Sequence, residues 1–170
     1  MNAKCFHCDL IREGRPITQT PHAGAFLHVL PAAIGHTIIV PKEHHTILEQ
    51  VPDELLKHLA DFTNTVQTIC MHGLAALGTN IIINNGVGAG QQNTHFIIHI
   101  IPRKPNDKLP FGWPPHQTNE QQMYEIENGL KEMLQHNRKE ARTEAIEQLK
   151  EQKEHQADYP SQVQHMTRIP

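Results

Sequence analysis

Two histidines four residues apart, His95 and His99, stand in an apolar stretch that follows a Gly90-Gln91 turn, with Ile97 midway between them. On an extended strand, alternate residues share a face. His95, Ile97 and His99 therefore point one way, and Phe96, Ile98 and Ile100 the other. Same-face neighbours are about 7 Å apart along such a strand, so the two histidines, four residue rises apart, stand about 13 Å apart, too far for direct contact but close enough to line one cleft. Imidazoles so placed can bind anions, move protons or hold a metal. A second set of candidates is Cys5 and Cys8, a Cys-x-x-Cys pair near the start of the chain. Three cysteines in 170 residues do not make a disulfide framework, which leaves metal binding or reduced thiols. Fourteen histidines make metal or proton chemistry worth considering, although His58, His72, His116, His136, His155 and His165 read as solvated polar residues.

The elements that must position these groups follow from apolar periodicity. Residues 12–21 are polar and turn-rich. Ala25 to Leu30 and Thr37 to Val40 read as strands separated by a turn containing Gly35. Pro52-Asp53 opens a long amphipathic helix on which Leu55, Leu59, Phe62, Val66, Ile69, Gly73 and Leu77 form one stripe, with Gly78 as its C-terminal cap. Cys70, beside that stripe, reads as a small core residue. Asn80 to Ile83 forms a short strand, and a glycine-rich loop leads to the strand Thr94 to Ile101, ended by Pro102. Strands paired without crossover helices indicate an antiparallel α+β domain over residues 1–116. A C-terminal helical extension is expected over 117–155, apolar on one face at Met123, Ile126, Leu130, Met133 and Leu134, and a disordered tail over 156–170. The formal charge of −3 calls for neither a nucleic-acid nor a membrane-surface partner. No apolar run reaches the roughly 18 residues of a membrane span, and the start lacks a signal-peptide core, so a cytoplasmic protein is expected.

The stretch Gly90-Gln91-x-x-x-His95-Phe96-Ile97-Ile98-His99-Ile100-Ile101-Pro102-Arg103 resembles the signature of the histidine-triad (HIT) family, Gly-Gln-x-x-x-His-φ-His-φ-His-φ-φ. Asn84 and Gly86 are similar to the family's Asn-x-Gly. Gly35-His36-Thr37-Ile38-Ile39-Val40-Pro41-Lys42-Glu43-His44 is similar to its Gly-His-Thr-φ-φ-φ-Pro-Lys-x-His, and Cys5-Phe6-His7-Cys8 to the Cys-x-Phe-Cys opening of its zinc-bearing branch. The resemblance implies a sheet-and-helix protomer, a homodimer with a continuous sheet, and a cleft for a purine nucleotide or nucleoside phosphate. It carries nucleotide binding to His28, His36, Asn84, Gly90, Gln91, Gln92 and His99. It carries a closed Cys₂His₂ structural zinc to Cys5, Cys8, His44 and His95, with His45 as a competitor one residue off register.

The departures matter equally. The family's middle histidine attacks the α-phosphate and carries the nucleotidyl group, and that position is Ile97 here, which has no lone pair. Gln92 replaces a small hydroxyl residue, Asn93 a valine, and His28 the acidic or amide residue that holds the ribose. The reading is a nucleotide-binding protein whose triad is degenerate and catalytically impaired. Two alternatives stand beside it. One is an active phosphoramidate or dinucleoside polyphosphate hydrolase or nucleotidyl transferase. The other is a zinc-stabilised scaffold whose C-terminal helix binds a protein or ribonucleoprotein partner.

Overall fold

The structure, a computed structural model, describes residues 5–110 and 112–137. The chain divides after residue 111 into two units, each described here by itself.

The first unit is built on a five-stranded antiparallel sheet of order β1-β2-β3-β5-β4, comprising β1 (Thr18–Gln19), β2 (Ala23–Leu27), β3 (Thr37–Pro41), β4 (Gly78–Ile82) and β5 (Ile98–Arg103). The fold is α+β, as expected. Each face of the sheet carries its own apolar cluster. On one face Ala23, Ala25, Ile39, Phe96, Ile98 and Ile100 pack with Leu59, Phe62 and Val66 of the long helix α2 (Asp53–Gly73). On the other, Phe26, Ile38, Val40 and Ile97 pack with Leu10 and Ile11 of a short helix α1 (Phe6–Glu13). The alternation of strand side chains thus sorts Phe96 and Ile98 to one core and Ile97 to the other.

Three local readings need correction. Helix α1 runs through Arg12 and Glu13 into the stretch that reads as polar and turn-rich, and the sequence reading assigns its residues 6–11 no element. Asp9 in its first turn and Arg12 in its last suit the helix dipole. Helix α2 stops at Gly73 instead of Gly78. Leu74 donates its N–H back to the Cys70 and His72 carbonyls, and Ala75 turns left-handed at φ 48°, so Gly78 begins β4. Its stripe also shortens, leaving Ile69 and Leu77 exposed. Finally, β5 begins at Ile98, leaving His95 in the irregular segment before it, and runs through Pro102 to Arg103.

In the second unit a helix, α3, occupies residues 120–137. Asn119 caps it: the Gln122 N–H donates to Asn119 Oδ1 at 2.8 Å, and the Asn119 N–H to Gln122 Oε1 at 3.3 Å. The remainder of the expected extension and the expected tail lie outside the described residues. Among the described residues no helix is long and apolar enough to cross a membrane.

Candidate functional site

Two imidazole clusters flank Ile97. The first gathers the N-terminal cysteines. The sulfur and nitrogen atoms that Cys5, Cys8, His44 and His95 can offer a metal all lie within 4.8 Å of one another. Nδ1 of His95 is 3.5 Å from Cys5 Sγ and 3.6 Å from Cys8 Sγ, and His44 Nδ1 is 3.3 Å from Cys8 Sγ. A sulfur and a nitrogen on one tetrahedral zinc stand about 3.6 Å apart, given bonds of about 2.3 and 2.05 Å. The donor set fits that ion. His95 is fully buried, and its Nε2–H donates to the Pro41 carbonyl at 3.1 Å. That bond fixes the tautomer and leaves the Nδ1 lone pair facing the sulfurs, the outer-shell arrangement usual for a metal-bound histidine. Burial and the adjacent Cys5 push the Cys8 thiol up. His44, and not His45, completes the set; His45 lies 3.5 Å from Glu43 and accepts the Phe96 N–H on its carbonyl.

The second cluster holds His28, His36 and His99. The backbone N–H of His28 extends the β2–β3 ladder to the His36 carbonyl, at 2.8 Å. The two rings consequently stack with centroids 4.5 Å apart and planes 6° from parallel. His99 lies across β3 from them, its ring centroid 5.2 Å from that of His36 and 5.6 Å from that of His28.

Hydrogen-bond polarity assigns the tautomers in this cluster. The Ala32 backbone N–H can only donate, and it donates to His36 Nδ1 at 3.1 Å. His36 therefore carries its proton on Nε2 and donates it to His99 Nδ1 at 3.0 Å. His99 is left with an Nε2–H. Burial, with like charge at His28 and then His99, pushes His36 down to about 4; burial, with like charge at His28 and then His7, does the same for His99. Both are neutral near pH 7, and His99 addresses the cleft as a hydrogen-bond donor. His28 Nδ1 lies 2.7 Å from the Leu30 carbonyl and accepts the Leu30 backbone N–H at 3.1 Å, so both backbone groups of Leu30 meet one ring nitrogen.

Between the clusters Ile97, 7% exposed, fills an apolar floor with Phe26, Ile38 and Val40. The glycine loop connects β4 to the segment that carries His95. Gly86 and Gly90 take φ of 84° and 82°, a conformation that favours glycine, around a single turn at Val87–Ala89. Gln91 braces it: its Oε1 accepts the Gly86 N–H at 2.7 Å, and its Nε2 donates to the Thr46 and Asn93 carbonyls at 2.7 and 2.8 Å. The Gln91 amide thus holds the loop in shape. Gly90 sits at the loop's end, Asn84 is half-buried before it, and Gln92 is exposed.

Sequence reasoning missed two participants. Asn85 ties the loop to the segment before α2, accepting the Leu48 N–H at 2.8 Å and donating to Glu49. His7, on α1, is 4% exposed, with its ring centroid 6.0 Å from that of His95. The signal for His7 was its position three and four residues before Leu10 and Ile11, which puts it on the inward face of α1. His58, read as solvated, instead meets Thr20 Oγ1 at 2.8 Å and stacks edge-on with His22. Those two rings border a cavity of about 530 Å³ that none of His28, His36 and His99 lines.

Comparison with known proteins agrees with this geometry. An adenosine 5'-monophosphoramidase of Saccharomyces cerevisiae is 32% identical over 124 residues, covering 70% of this chain and 75% of that protein. The crystal structure of a histidine triad nucleotide-binding protein from Candida albicans superposes with a TM-score of 0.68 at 28% identity, over 77% of this chain and 97% of that one. A zinc-bound histidine triad family protein from Mycobacterium smegmatis gives a TM-score of 0.60 at 31% identity, over 66% and 84%. The model of the HIT domain matches residues 12–106. That match spans more than half of the chain, and this chain belongs to the HIT family.

Proposed function

We propose that the chain binds a purine nucleotide or nucleoside phosphate in the cleft bordered by His28, His36, Asn84, Gly90, Gln91, Gln92 and His99, and that its covalent nucleotidyl chemistry is impaired. One observation carries the second half. Ile97, at the position of the attacking histidine, is packed into an apolar floor, and the neighbouring His99 offers the cleft an N–H instead of a lone pair. Neither can attack phosphorus. The first half is supported by the relatives, one a phosphoramidase of adenosine 5'-monophosphate and one a nucleotide-binding protein, and by the glycine loop, whose backbone amides suit an anion.

Zinc is the metal we assign to Cys5, Cys8, His44 and His95, as a structural ion with every position closed. It would clamp α1 to the sheet through Cys5 and Cys8. We assign a homodimer through the β4 edge, and a cytoplasmic setting in which the thiols stay reduced. The exposed apolar side chains of α3, among them Met123, Ile126, Leu130 and Met133, suit a protein or ribonucleoprotein partner.

Calorimetric titration with adenosine and guanosine monophosphates tests the binding reading. Saturable binding that weakens in a His99→Ala variant is the expected result. No binding of either nucleotide by a folded, metal-loaded protein contradicts it and favours the scaffold alternative.

A further inference from the structure

Packing holds helix α1 to the sheet only lightly. Of its eight residues His7 alone is fully buried, while Leu10 and Ile11 reach the Ile97 cluster in part. Its N-cap residue, Cys5, makes no side-chain capping bond. A helix of this length is not stable by itself in water. The remaining tie is the donor set, in which the sulfurs of Cys5 and Cys8 meet His44, just after β3, and His95, just before β5. Cys5 and Cys8 span the first turn of α1, at the N-cap and the third helical position, and their sulfurs lie within 4.8 Å of each other. A helix N-terminus favours the thiolate, and Cys-x-x-Cys pairs placed there are redox-active elsewhere. Both cysteines are half-buried, so a small solute reaches them, and both are free thiols. Cys70 stands outside the set, on α2, with its sulfur 3.7 Å from the Thr37 hydroxyl.

We propose that Cys5 and Cys8 are a modification site for hydrogen peroxide, and that the disulfide formed between them expels the metal and releases α1 from the sheet. This rests on the zinc assignment above. One thiolate attacks a peroxide oxygen, the O–O bond breaks, hydroxide leaves with the electron pair, and the sulfur becomes a sulfenic acid. The second thiolate attacks that sulfur, the S–O bond breaks, and a second hydroxide leaves as the disulfide closes. The two sulfurs together give up two electrons and the peroxide accepts them. The two hydroxides balance the charge of the departing divalent cation. Disulfide sulfurs are no longer thiolates and cannot serve as ligands, which leaves His44 and His95, half of a tetrahedral set. His95 keeps its place through the Pro41 carbonyl, so the sheet side of the site survives. Helix α1 is left with His7, Leu10 and Ile11 as its only hold, and it detaches from the Ile97 cluster.

The test measures the metal content of the full chain, then treats it with hydrogen peroxide beside a weak chromogenic chelator that takes no metal from untreated protein. Expected are release of zinc in step with the loss of two thiols, and a peptide containing Cys5 and Cys8 that is lighter by two hydrogens. Hydrogen-exchange protection over residues 6–13 should fall by about 10-fold or more while that of α2 changes little. A dithiol reductant with added zinc should restore all three properties, and Cys70→Ala should respond as the unmodified chain does. Zinc that stays bound after peroxide overturns the proposal, whether the thiols are intact or oxidised. So does release with a sulfinic acid in place of the disulfide, release with α1 still fully protected, or release that Cys70→Ala abolishes. In each of these the zinc assignment stands and the proposal alone fails. Freshly purified protein that holds no zinc removes the assignment and the proposal together.

Discussion

At position 97 a histidine cannot simply be put back. The side chain there is enclosed by Phe26, Ile38 and Val40, with Leu10 and Ile11 above them. An imidazole in that floor loses the apolar contacts of Ile97 and buries polar nitrogens without a partner. Ile97→His should therefore destabilise the fold by about 1–3 kcal/mol, measured as a fall in the urea midpoint at constant slope. An unchanged midpoint would mean the floor is looser than its burial indicates. His36 and His99 carry a second consequence. Their folded pKa values, about 4, lie below the ordinary histidine value of 6.5, so the unfolded chain binds more protons at mildly acidic pH. The sign is fixed: their contribution is fully present above about 6.5 and is lost as pH falls toward about 4. Denaturation across that window should show stability falling with pH, and His99→Gln should flatten the slope. A slope unaffected by the substitution would contradict the neutral His36–His99 pair. Spacing alone made His95, Ile97 and His99 legible as one face. The tautomers of His36 and His99 were not legible, because they depend on the Ala32 backbone N–H, which no side-chain motif records.

Helix α1 is where element and site meet. Its apolar residues cover the Ile97 cluster, and Cys5 and Cys8 lie beside His44 and His95. A motif match was enough to group the four candidate metal ligands, since each sits in a short, ordered sequence pattern. The helix itself was hidden, because eight residues give barely two turns of periodicity. Zinc bound to all four side chains would make metal content and α1 order a single property. We expect about one zinc per chain in freshly purified protein. Its removal by a chelator, or by Cys5→Ser with Cys8→Ser, should sharply lower hydrogen-exchange protection over residues 6–13 while that of α2 changes little. Metal-free protein whose α1 is fully protected would contradict the clamp. The end of α2 shows the opposite limit of sequence reading. Gly78 offers a glycine cap in a plausible place, but Leu74 and Ala75 close the helix earlier, with a left-handed alanine that composition does not announce.

For the whole molecule, the sheet ends at β4, and that edge runs beside apolar surface. Ile81 is 51% exposed, and a cavity of about 260 Å³ is lined by Leu56, Ala60, Thr63, Ile81 and Ile83. The Thr63 hydroxyl is buried there without a hydrogen-bond partner among the described residues. An open strand edge with an apolar flank is a surface that a second copy can cover across a two-fold axis. Light scattering should therefore report a dimer, and Ile81→Lys a monomer; a monomeric unmodified protein at micromolar concentration would contradict the assignment. The antiparallel α+β sheet followed from hydrophobic pattern and family resemblance, whereas the pairing of His28 with His36 followed only from the ladder register. The central claim, a nucleotide cleft without its covalent step, is tested most directly by rapid quench. The protein is mixed with adenosine 5'-phosphosulfate labelled at the α-phosphorus, denatured within milliseconds to minutes, and separated from small molecules. The account predicts that adenosine monophosphate binds the native protein while no label stays on the chain at any time. Label retained on the protein and mapped to a histidine would contradict it.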